Sequence, residues 1–201
     1  MKLFVTLFGC YVFGGVPTAY WLVKWTKRVD IRTVGSGNVG ATNALRTAGP
    51  WAGLIVLVID ILKGVFAAWV IPRWVFGGTS SELSLACGVA AVLGHDFSCF
   101  VGFQGGKGVA TTLGVLLATT PLIAGVVGGV WAAVFVVSRY VSLGSVSAAV
   151  AIPFSQVALH RPWHDVWLGW CLAGLILVRH RDNLKRLLSG VEHRAWTRKA
   201  D

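Results

Sequence analysis

The chain has 201 residues, of which 55% are hydrophobic and only 13% are charged, and it contains ten tryptophans. Soluble domains carry about 25% charged residues, so this composition excludes an ordinary soluble protein and indicates a single integral membrane domain, residues 1–201. The net charge of +10 does not indicate nucleic-acid binding, because the basic residues cluster between apolar segments, as the positive-inside rule requires of a membrane protein.

The first predicted membrane span covers residues 3–23, an apolar segment long enough to cross about 30 Å of hydrocarbon. A signal peptide is the alternative interpretation. The segment is longer than the apolar region of a signal peptide and lacks an A-x-A-like cleavage site, so we interpret it as a span.

The glycine-rich run Gly35–Asn43, called here the first glycine loop, is closed by Arg46. Its three glycines within six residues let the backbone approach a ligand closely, and successive N–H groups in such a turn can bind an anion. Ser36 and Asn38 add neutral donors, and the planar guanidinium of Arg46 suits a phosphate. The run predicts a phosphate-binding loop at a membrane face, with a flexible loop between helices as an equal alternative.

The second predicted span, residues 51–72, contains the charged residues Asp60 and Lys63. Residues three apart share one face of a helix, and charges at this depth are costly and usually point into the helix bundle. The pair either neutralises itself for structural reasons or belongs to a functional site. The third span, residues 83–100, is interrupted near its end by His95 and Asp96.

The turn Gly102–Gly108, called here the second glycine loop, contains Lys107. It lacks the Walker A spacing, but its amides, its cation and the helix N-terminus that follows favour an anion. The apolar stretch after it, residues 109–137, contains Pro121 and would be about 43 Å long as one helix, too long for the membrane. We therefore predict two spans, residues 109–120 and 122–137.

The last two predicted spans are residues 141–159, which begin with Ser142 and Ser145, and residues 166–178. The loop between them contains His160 and Asp165, whose spacing matches the H-x₄-D motif of a different acyltransferase class. Short patterns of this kind arise easily by chance, so we interpret this stretch as a polar loop between spans.

His180 and Asn183 stand where the last span meets the membrane surface, ahead of a basic tail that runs to Lys199. An imidazole can exchange a proton near neutral pH, so His180 could act as a general base or as a phosphate ligand. An interfacial histidine among arginines is the alternative. Asn183 is one helical turn further on and shares its face.

The distribution of basic residues indicates the orientation. Seven spans with the N-terminus outside place most Lys and Arg side chains in the cytoplasm, whereas a single crossing by residues 109–137 places most of them outside. We therefore predict an all-α membrane protein with seven transmembrane helices and a cytoplasmic C-terminus. In this orientation both glycine loops, the helix start at Ser142 and the His180 segment face the cytoplasm.

Taken together, the motifs resemble the bacterial PlsY-type acyl-phosphate:glycerol-3-phosphate acyltransferases over roughly residues 14–192. The motifs that carry the resemblance are GSGNVGATN (35–43), D-x-x-K-G (60–64), GH (94–95), GGKGVAT (105–111), RYVSLGS (139–145) and HRDNLKRLLSGVE (180–192). The chain departs from the family pattern at Ser98-Cys99 and Gln104, where a proline-containing pair and a basic residue are expected.

The resemblance implies a multi-pass enzyme of the bacterial inner membrane with its active site facing the cytoplasm. Such an enzyme transfers a fatty acyl group from acyl phosphate to the 1-hydroxyl of sn-glycerol 3-phosphate, giving lysophosphatidic acid and inorganic phosphate, the first acylation step of phospholipid synthesis. Neither acyl-CoA nor acyl carrier protein is the direct donor. The resemblance further implies contact with membrane lipids, with no nucleic acid and no partner chain.

On this interpretation two phosphates must be held, and the roles are divided among the polar motifs. Lys107, Ser36, Asn38 and Ser145 contact phosphate or oxyanion, Arg46 holds glycerol phosphate together with Asn183, and His180 orients or deprotonates the hydroxyl unless a substrate phosphate oxygen does so. We predict that the catalytic residues are Ser36, Lys107 and His180. The predicted substrate-binding residues are Gly37, Asn38, Asn43, Arg46, Gly105, Gly106, Gly108, Ser142, Ser145 and Asn183.

The sequence shows no metal-ligand cluster and no cofactor motif, so we predict neither a metal nor a cofactor, and we expect the apolar helices to provide a lateral groove for the acyl chain. The alternative function is a membrane transporter of a phosphorylated metabolite. Many transporters contain inverted repeats, and none is visible in this sequence.

Overall fold

The structure is a computed structural model that describes residues 1–195, so Arg198 and Lys199 of the basic tail lie outside the described residues. Residues 1–195 contain no β-strand, which confirms the predicted all-α class. They form the α-helices α1 (Lys2–Gly14), α2 (Thr18–Lys27), α3 (Ala41–Ala48), α4 (Pro50–Val65), α5 (Ile71–Phe76), α6 (Ser81–Asp96), α7 (Val109–Thr119), α8 (Pro121–Ser138), α9 (Val141–Ala158), α10 (Trp163–Arg179) and α11 (Arg181–Leu188).

Helix occupies most of each of the seven predicted spans, with breaks at residues 15–17 and 97–98. Within residues 1–195, five helical segments are long and apolar enough to cross a membrane: Lys2–Lys27, Pro50–Phe76, Ser81–Val101, Pro121–Ser138 and Val141–Ala158. The predicted turn at Pro121 is confirmed, because α7 ends at Thr119 and α8 begins at the proline, a residue suited to the first position of a helix. The count of seven crossings and the orientation of the termini stay predictions, since α7 and α10 are shorter, with 11 and 17 residues.

The helices group into two compact units, the first from Met1 to Pro121 and the second from Leu122 onward. The first unit contains both glycine loops. The second contains α9, α10 and α11, with α9 packed against α10 and against α11. The single domain predicted from the sequence stays a prediction.

The first span is broken between α1 and α2 at residues 15–17, where Pro17 lacks the backbone N–H that would continue the helix. Two buried side chains from other helical segments bind the carbonyl groups at this break. The Nζ of Lys63 donates to the carbonyl oxygen of Val16, and the hydroxyl of Ser98 donates to that of Gly15. The break is therefore held by tertiary hydrogen bonds.

Helix pairs of the first unit cross at glycines, where their backbones touch. A methyl group at Gly94 of α6 would lie 1.9 Å from the carbonyl oxygen of Tyr11 in α1. A methyl group at Gly114 of α7 would lie 2.0 Å from the carbonyl oxygen of Ile61 in α4. Small residues at such crossings allow the close backbone approach that stabilises helix pairs in membranes. These crossings fix α6 and α7, between which the second glycine loop lies.

Candidate active site

The first glycine loop begins after a short 3₁₀ turn, Ile31–Thr33, whose geometry is set by Asp30. The Asp30 carboxylate accepts a hydrogen bond from the Arg32 backbone N–H at 2.9 Å and forms a 2.6 Å ion pair with the Arg32 guanidinium. The Arg32 hydrogen bond holds the pKa of Asp30 at about 2, below its ordinary value. The start of the loop is therefore anchored by a charged pair.

Asn43, at the far end of the first glycine loop, organises the whole loop. Its side chain is fully buried, and its Oδ1 accepts a 3.0 Å hydrogen bond from the Ser36 backbone N–H. Its Nδ2 donates to three carbonyl oxygens, those of Ile31, Val34 and Asn38, at 3.0–3.1 Å. The side chain predicted to bind substrate therefore shapes the loop, and its contact with substrate stays a prediction.

The remaining polar residues of this region lie toward the surface. Ser36 is exposed and Asn38 is half-buried, whereas Arg46 is exposed in the last turn of α3. Gly37 adopts a positive φ of 69°, a conformation that side chains disfavour. The loop thus offers a hydroxyl and a carboxamide on a hydrogen-bonded backbone turn, with a guanidinium on the helix that follows, and donors of these kinds suit a phosphate.

The second glycine loop folds back onto the end of α6. The Gly105 N–H donates to the Asp96 carbonyl oxygen at 3.2 Å, and the Gly106 N–H donates to the His95 carbonyl oxygen at 3.0 Å. These two predicted binding residues therefore use their amides to shape the loop. Lys107 is half-buried and lies immediately before the N-terminus of α7, where the helix dipole favours an anion.

The two glycine loops are neighbours within the first unit. The Nη1 of Arg32 donates to the carbonyl oxygen of Val101 at 3.3 Å, which joins the segments that lead into the two loops. The sequence predicted convergence of these loops from topology alone. The structure supplies a direct contact between the residues that precede them.

In the second unit, the carboxylate of Glu192 draws together two predicted binding residues. Its Oε1 accepts hydrogen bonds from the Ser142 hydroxyl at 2.9 Å and from the Asn183 Nδ2 at 2.6 Å, and its Oε2 accepts from the Arg186 Nε at 2.7 Å. Burial raises the pKa of Glu192, but the three hydrogen bonds outweigh burial and hold it below the ordinary value. Glu192 was not predicted as a site residue, and its place at the end of the motif HRDNLKRLLSGVE was the one signal in the sequence that could have identified it.

The segment around Glu192 is fastened to the start of α9. The Ala195 N–H donates to the Arg139 carbonyl oxygen at 2.9 Å, and the Arg194 Nε donates to the Tyr140 hydroxyl at 3.2 Å. The residues after α11 therefore form a strap over the RYVSLGS motif.

His180 lies at the junction of α10 and α11 and is only 4% exposed. Its Nδ1 is 2.8 Å from the Ile176 carbonyl oxygen. A carbonyl can only accept, so Nδ1 carries the proton, and in the neutral ring Nε2 is then the basic nitrogen. This tautomer is the one that a general base acting through Nε2 requires.

Ser145 is buried, and its hydroxyl forms hydrogen bonds with residues of α8 and α9. The hydroxyl donates to the Val141 carbonyl oxygen at 2.9 Å and accepts from the Trp131 Nε1 at 3.3 Å. Its predicted phosphate contact would require exchange of one of these bonds.

The H-x₄-D pair does not have the geometry of an acid that orients a base. Asp165 is fully buried and forms a 2.7 Å ion pair with Arg161, and its other oxygen lies 3.1 Å from the Nε2 of His164. His160 is exposed at the end of α9. These contacts agree with the interpretation of a structural loop.

Two further expectations concern metal binding and the groove for the acyl chain. Among residues 1–195, no group of three or more His, Cys, Asp or Glu side chains could hold a metal ion, and the absence of a metal stays a prediction. An apolar groove of about 840 Å³ lies beside α1, lined by Phe13, Phe66 and Trp74 among others. None of its lining residues belongs to a glycine loop, so it does not identify the acyl-chain groove.

Comparison with known proteins gives the family. The family model of glycerol-3-phosphate acyltransferases matches residues 4–190. Glycerol-3-phosphate acyltransferase 2 of Moorella thermoacetica is 46% identical over 188 residues, 94% of this chain and 95% of that protein. The chain belongs to the glycerol-3-phosphate acyltransferase family. A second member of the family, from Syntrophomonas wolfei, is 41% identical over 184 residues, 91% of this chain and 92% of that protein.

Solved structures of the family agree with this assignment. Two crystal structures of PlsY, an integral membrane glycerol 3-phosphate acyltransferase, match the chain with a TM-score of 0.86 and 38% sequence identity. Each covers 96% of this chain, and the chain covers 96% of one and 95% of the other. One is the glycerol 3-phosphate form and the other the lysophosphatidic acid form. The resemblance to PlsY-type acyltransferases predicted from the motifs is confirmed.

Proposed function

We propose that this member of the glycerol-3-phosphate acyltransferase family uses acyl phosphate as its donor. The alcohol oxygen at position 1 of sn-glycerol 3-phosphate attacks the acyl carbon, an ester bond forms, and the bond from acyl carbon to phosphate oxygen breaks. The products are lysophosphatidic acid and inorganic phosphate, and the hydroxyl proton leaves with a base.

The observation that carries this proposal is the pair of adjacent glycine loops, each next to a cation. Both proposed substrates bear a phosphate, and a mixed anhydride already has a good leaving group. Catalysis can then depend mainly on holding the two reactants in place and on stabilising phosphate and oxyanion charge. Lys107 beside the N-terminus of α7 suits the donor phosphate, and Arg46 beside the first glycine loop suits the glycerol phosphate.

The other roles follow from the hydrogen bonds of each residue. Ser36 and Asn38 offer neutral donors at the first glycine loop, whose backbone is hydrogen-bonded by the Asn43 side chain. Asn183 is oriented by Glu192 and contacts the acceptor. His180, with its proton on Nδ1, takes the hydroxyl proton at Nε2, and a phosphate oxygen of the substrate is the alternative base.

The proposed setting is the bacterial inner membrane, with both glycine loops and His180 facing the cytoplasm and with no partner chain required. The distribution of basic residues supports this orientation. Single cysteines at Ser80 and Ser189, in a cysteine-free background, should differ in their labelling by an impermeant reagent. Equal labelling of both from outside would contradict the seven-span map.

Activity is tested with purified protein, acyl phosphate and glycerol 3-phosphate. Lysophosphatidic acid should form together with inorganic phosphate in equal amounts, and acyl-CoA alone should give neither. Lys107→Ala should abolish turnover in protein that elutes as folded material from a sizing column. Product formation from acyl-CoA alone would overturn the donor assignment. Uptake of glycerol 3-phosphate into vesicles without acylation would favour the transporter.

A further inference from the structure

A buried cluster of charged and polar side chains lies in the first unit beside the second glycine loop, and the proposed chemistry does not use it. It consists of Asp60 and Lys63 on α4 and His95 on α6, and their side chains are 3%, 4% and 8% exposed. Burying ionised groups at this depth is costly, and such groups in membrane proteins usually serve a function. Mutual neutralisation explains how the cluster is tolerated but does not explain why it is present.

One end of the cluster holds the break in the first span. The Nζ of Lys63 lies 2.8 Å from the Asp60 Oδ1 and also donates to the Val16 carbonyl oxygen, which lies between α1 and α2. Lys63 thus joins α4 to the break by a charge-assisted hydrogen bond, and Asp60 supplies its counter-ion.

The other end of the cluster reaches the second glycine loop. The Nδ1 of His95 lies 3.8 Å from the Asp60 Oδ1, and a methyl group at Gly106 would lie 2.0 Å from the His95 Nε2. The His95 carbonyl oxygen accepts the Gly106 N–H at 3.0 Å. His95 therefore contacts Gly106 through both its ring and its backbone, and the next residue in the chain is Lys107.

The helix after the loop is fixed by the same part of α4. A methyl group at Gly64, the residue after Lys63, would lie 2.1 Å from the Thr111 carbonyl oxygen in α7. The second glycine loop is thus held on one side by His95 and on the other by α7. His95 lies beside Asp60, and α7 packs against Gly64, the residue after Lys63.

We propose that Asp60, Lys63 and His95 form a positioning cluster that holds the second glycine loop so that Lys107 meets the phosphate of the acyl donor. Asp60 lies beside the His95 ring at 3.8 Å, His95 supports Gly106, and Lys63 balances the charge of Asp60 while it fixes the helix break. None of the three touches substrate. The inference rests on the proposed function for the role of Lys107, whereas the support of the loop is a property of the folded chain alone.

The first test measures the loop without any reaction. Hydrogen–deuterium exchange of the peptide that covers residues 102–108 is compared in full-length protein in detergent. His95→Leu should speed exchange in this peptide, whereas His95→Gln, whose carboxamide can reach the place of Nε2 beside Gly106, should exchange closer to the unmodified protein. Asp165→Asn, which breaks a buried ion pair in the second unit, is the matched control and should leave the peptide unchanged. Equal exchange in His95→Leu and the unmodified protein would overturn the proposal.

The second test separates positioning from stability through kinetics. We expect His95→Leu to raise the KM for acyl phosphate about 10- to 100-fold, because small misplacements far from the chemistry carry penalties of this size. The KM for glycerol 3-phosphate should change less, and His95→Gln should recover most of the loss. A uniform fall in active protein with both KM values unchanged would mean a structural role only and would overturn the proposal.

The double variant Asp60→Asn/Lys63→Met removes both charges together, so that no unpaired charge is left buried. It covers the case in which His95→Leu does not fold. It should show the same rise in KM for acyl phosphate and faster exchange in residues 102–108, and normal values of both would overturn the proposal. If the unmodified protein does not acylate glycerol 3-phosphate, the proposed function is wrong. The exchange comparison would still show whether the cluster holds the loop.

Discussion

The Asn183 side-chain amide donates a 2.6 Å hydrogen bond to the Glu192 carboxylate, which is only 4% exposed. The same oxygen accepts the Ser142 hydroxyl, so one carboxylate links α9, α11 and the strap that follows α11. From the sequence, Ser142 and Asn183 were predicted to contact substrate independently of each other. Their common partner is what sets their orientation.

Glu192→Gln should therefore weaken both stability and acceptor binding. A neutral amide cannot accept from three donors as a carboxylate does, and hydrogen bonds to charged groups contribute about 1.5–3 kcal/mol each. We expect the free energy of unfolding to fall by about 2 kcal/mol and the KM for glycerol 3-phosphate to rise. Thermal unfolding in detergent and steady-state kinetics measure the two effects. Glu82→Gln, in the first turn of α6, is the control, and equal effects of the two variants would contradict the prediction.

Gly35→Ala should destabilise the first glycine loop by more than the backbone strain of a positive φ alone. Gly35 has φ +60°, and a methyl group there would lie 2.2 Å from the Asn43 Oδ1. Gly77, at φ +72°, has open space around it and is the matched control. Gly77→Ala should cost about 1–2 kcal/mol from backbone strain alone. Gly35→Ala should cost more and should also raise the KM for glycerol 3-phosphate; similar values for both variants would mean that Asn43 moves without consequence.

Asp30 should stabilise the first glycine loop in a pH-dependent manner. Its pKa is lowered to about 2 by its hydrogen bond with Arg32, so its contribution is present above the ordinary value of 3.8 and is lost as pH falls toward 2. The difference in melting temperature between Asp30→Asn and the unmodified protein should be constant from pH 5 to 7 and should shrink below about pH 4. A difference that does not change over this acid range would contradict the ion pair.

Arg46→Lys should mainly raise the KM for glycerol 3-phosphate. Arg46 is exposed in the last turn of α3, and its planar fork can bind a phosphate through two parallel hydrogen bonds that lysine cannot reproduce. The turnover number at saturating acceptor should change much less, because the lost contact is made equally in the ground state and the transition state. Arg73→Lys, on α5, is the control. A fall in kcat with an unchanged KM would assign Arg46 to the chemical step instead.

Apolar length and proline position were sufficient to predict helix in the apolar segments, because both act within one segment, whereas the short polar helix α3 was not predicted. Residues 109–137 divide at Pro121 as expected for that reason. The break at residues 15–17 was not predicted, although Pro17 was visible, because the hydrogen bonds that stabilise it come from Lys63 and Ser98, 47 and 83 residues away.

The glycine loops were predicted from composition, but which of their residues hold the loop in shape was not. Asn43 has the same residue type as Asn38, yet only Asn43 is fully buried and bonded on every side. Similarly, Gly105 and Gly106 donate their amides to α6, which depends on how the chain turns back after Ser98. Residue type indicates what a side chain can bind, and only the fold determines which partner it has.

His180 should contribute to turnover through Nε2 rather than through acceptor binding. His180→Asn is the sharpest change, because the asparagine amide can keep the hydrogen bond to the Ile176 carbonyl while the basic nitrogen is lost. General base catalysis contributes about 10²–10⁴-fold, so kcat should fall by this factor while the KM for glycerol 3-phosphate changes less. The kinetics are measured with glycerol 3-phosphate varied at saturating acyl phosphate. His160→Asn is the matched control, because His160 is exposed and the buried Asp165 pairs with Arg161 instead, so its kcat should be unchanged. Near-normal turnover of His180→Asn at saturating acceptor would make His180 a binding residue and would favour a phosphate oxygen of the substrate as the base.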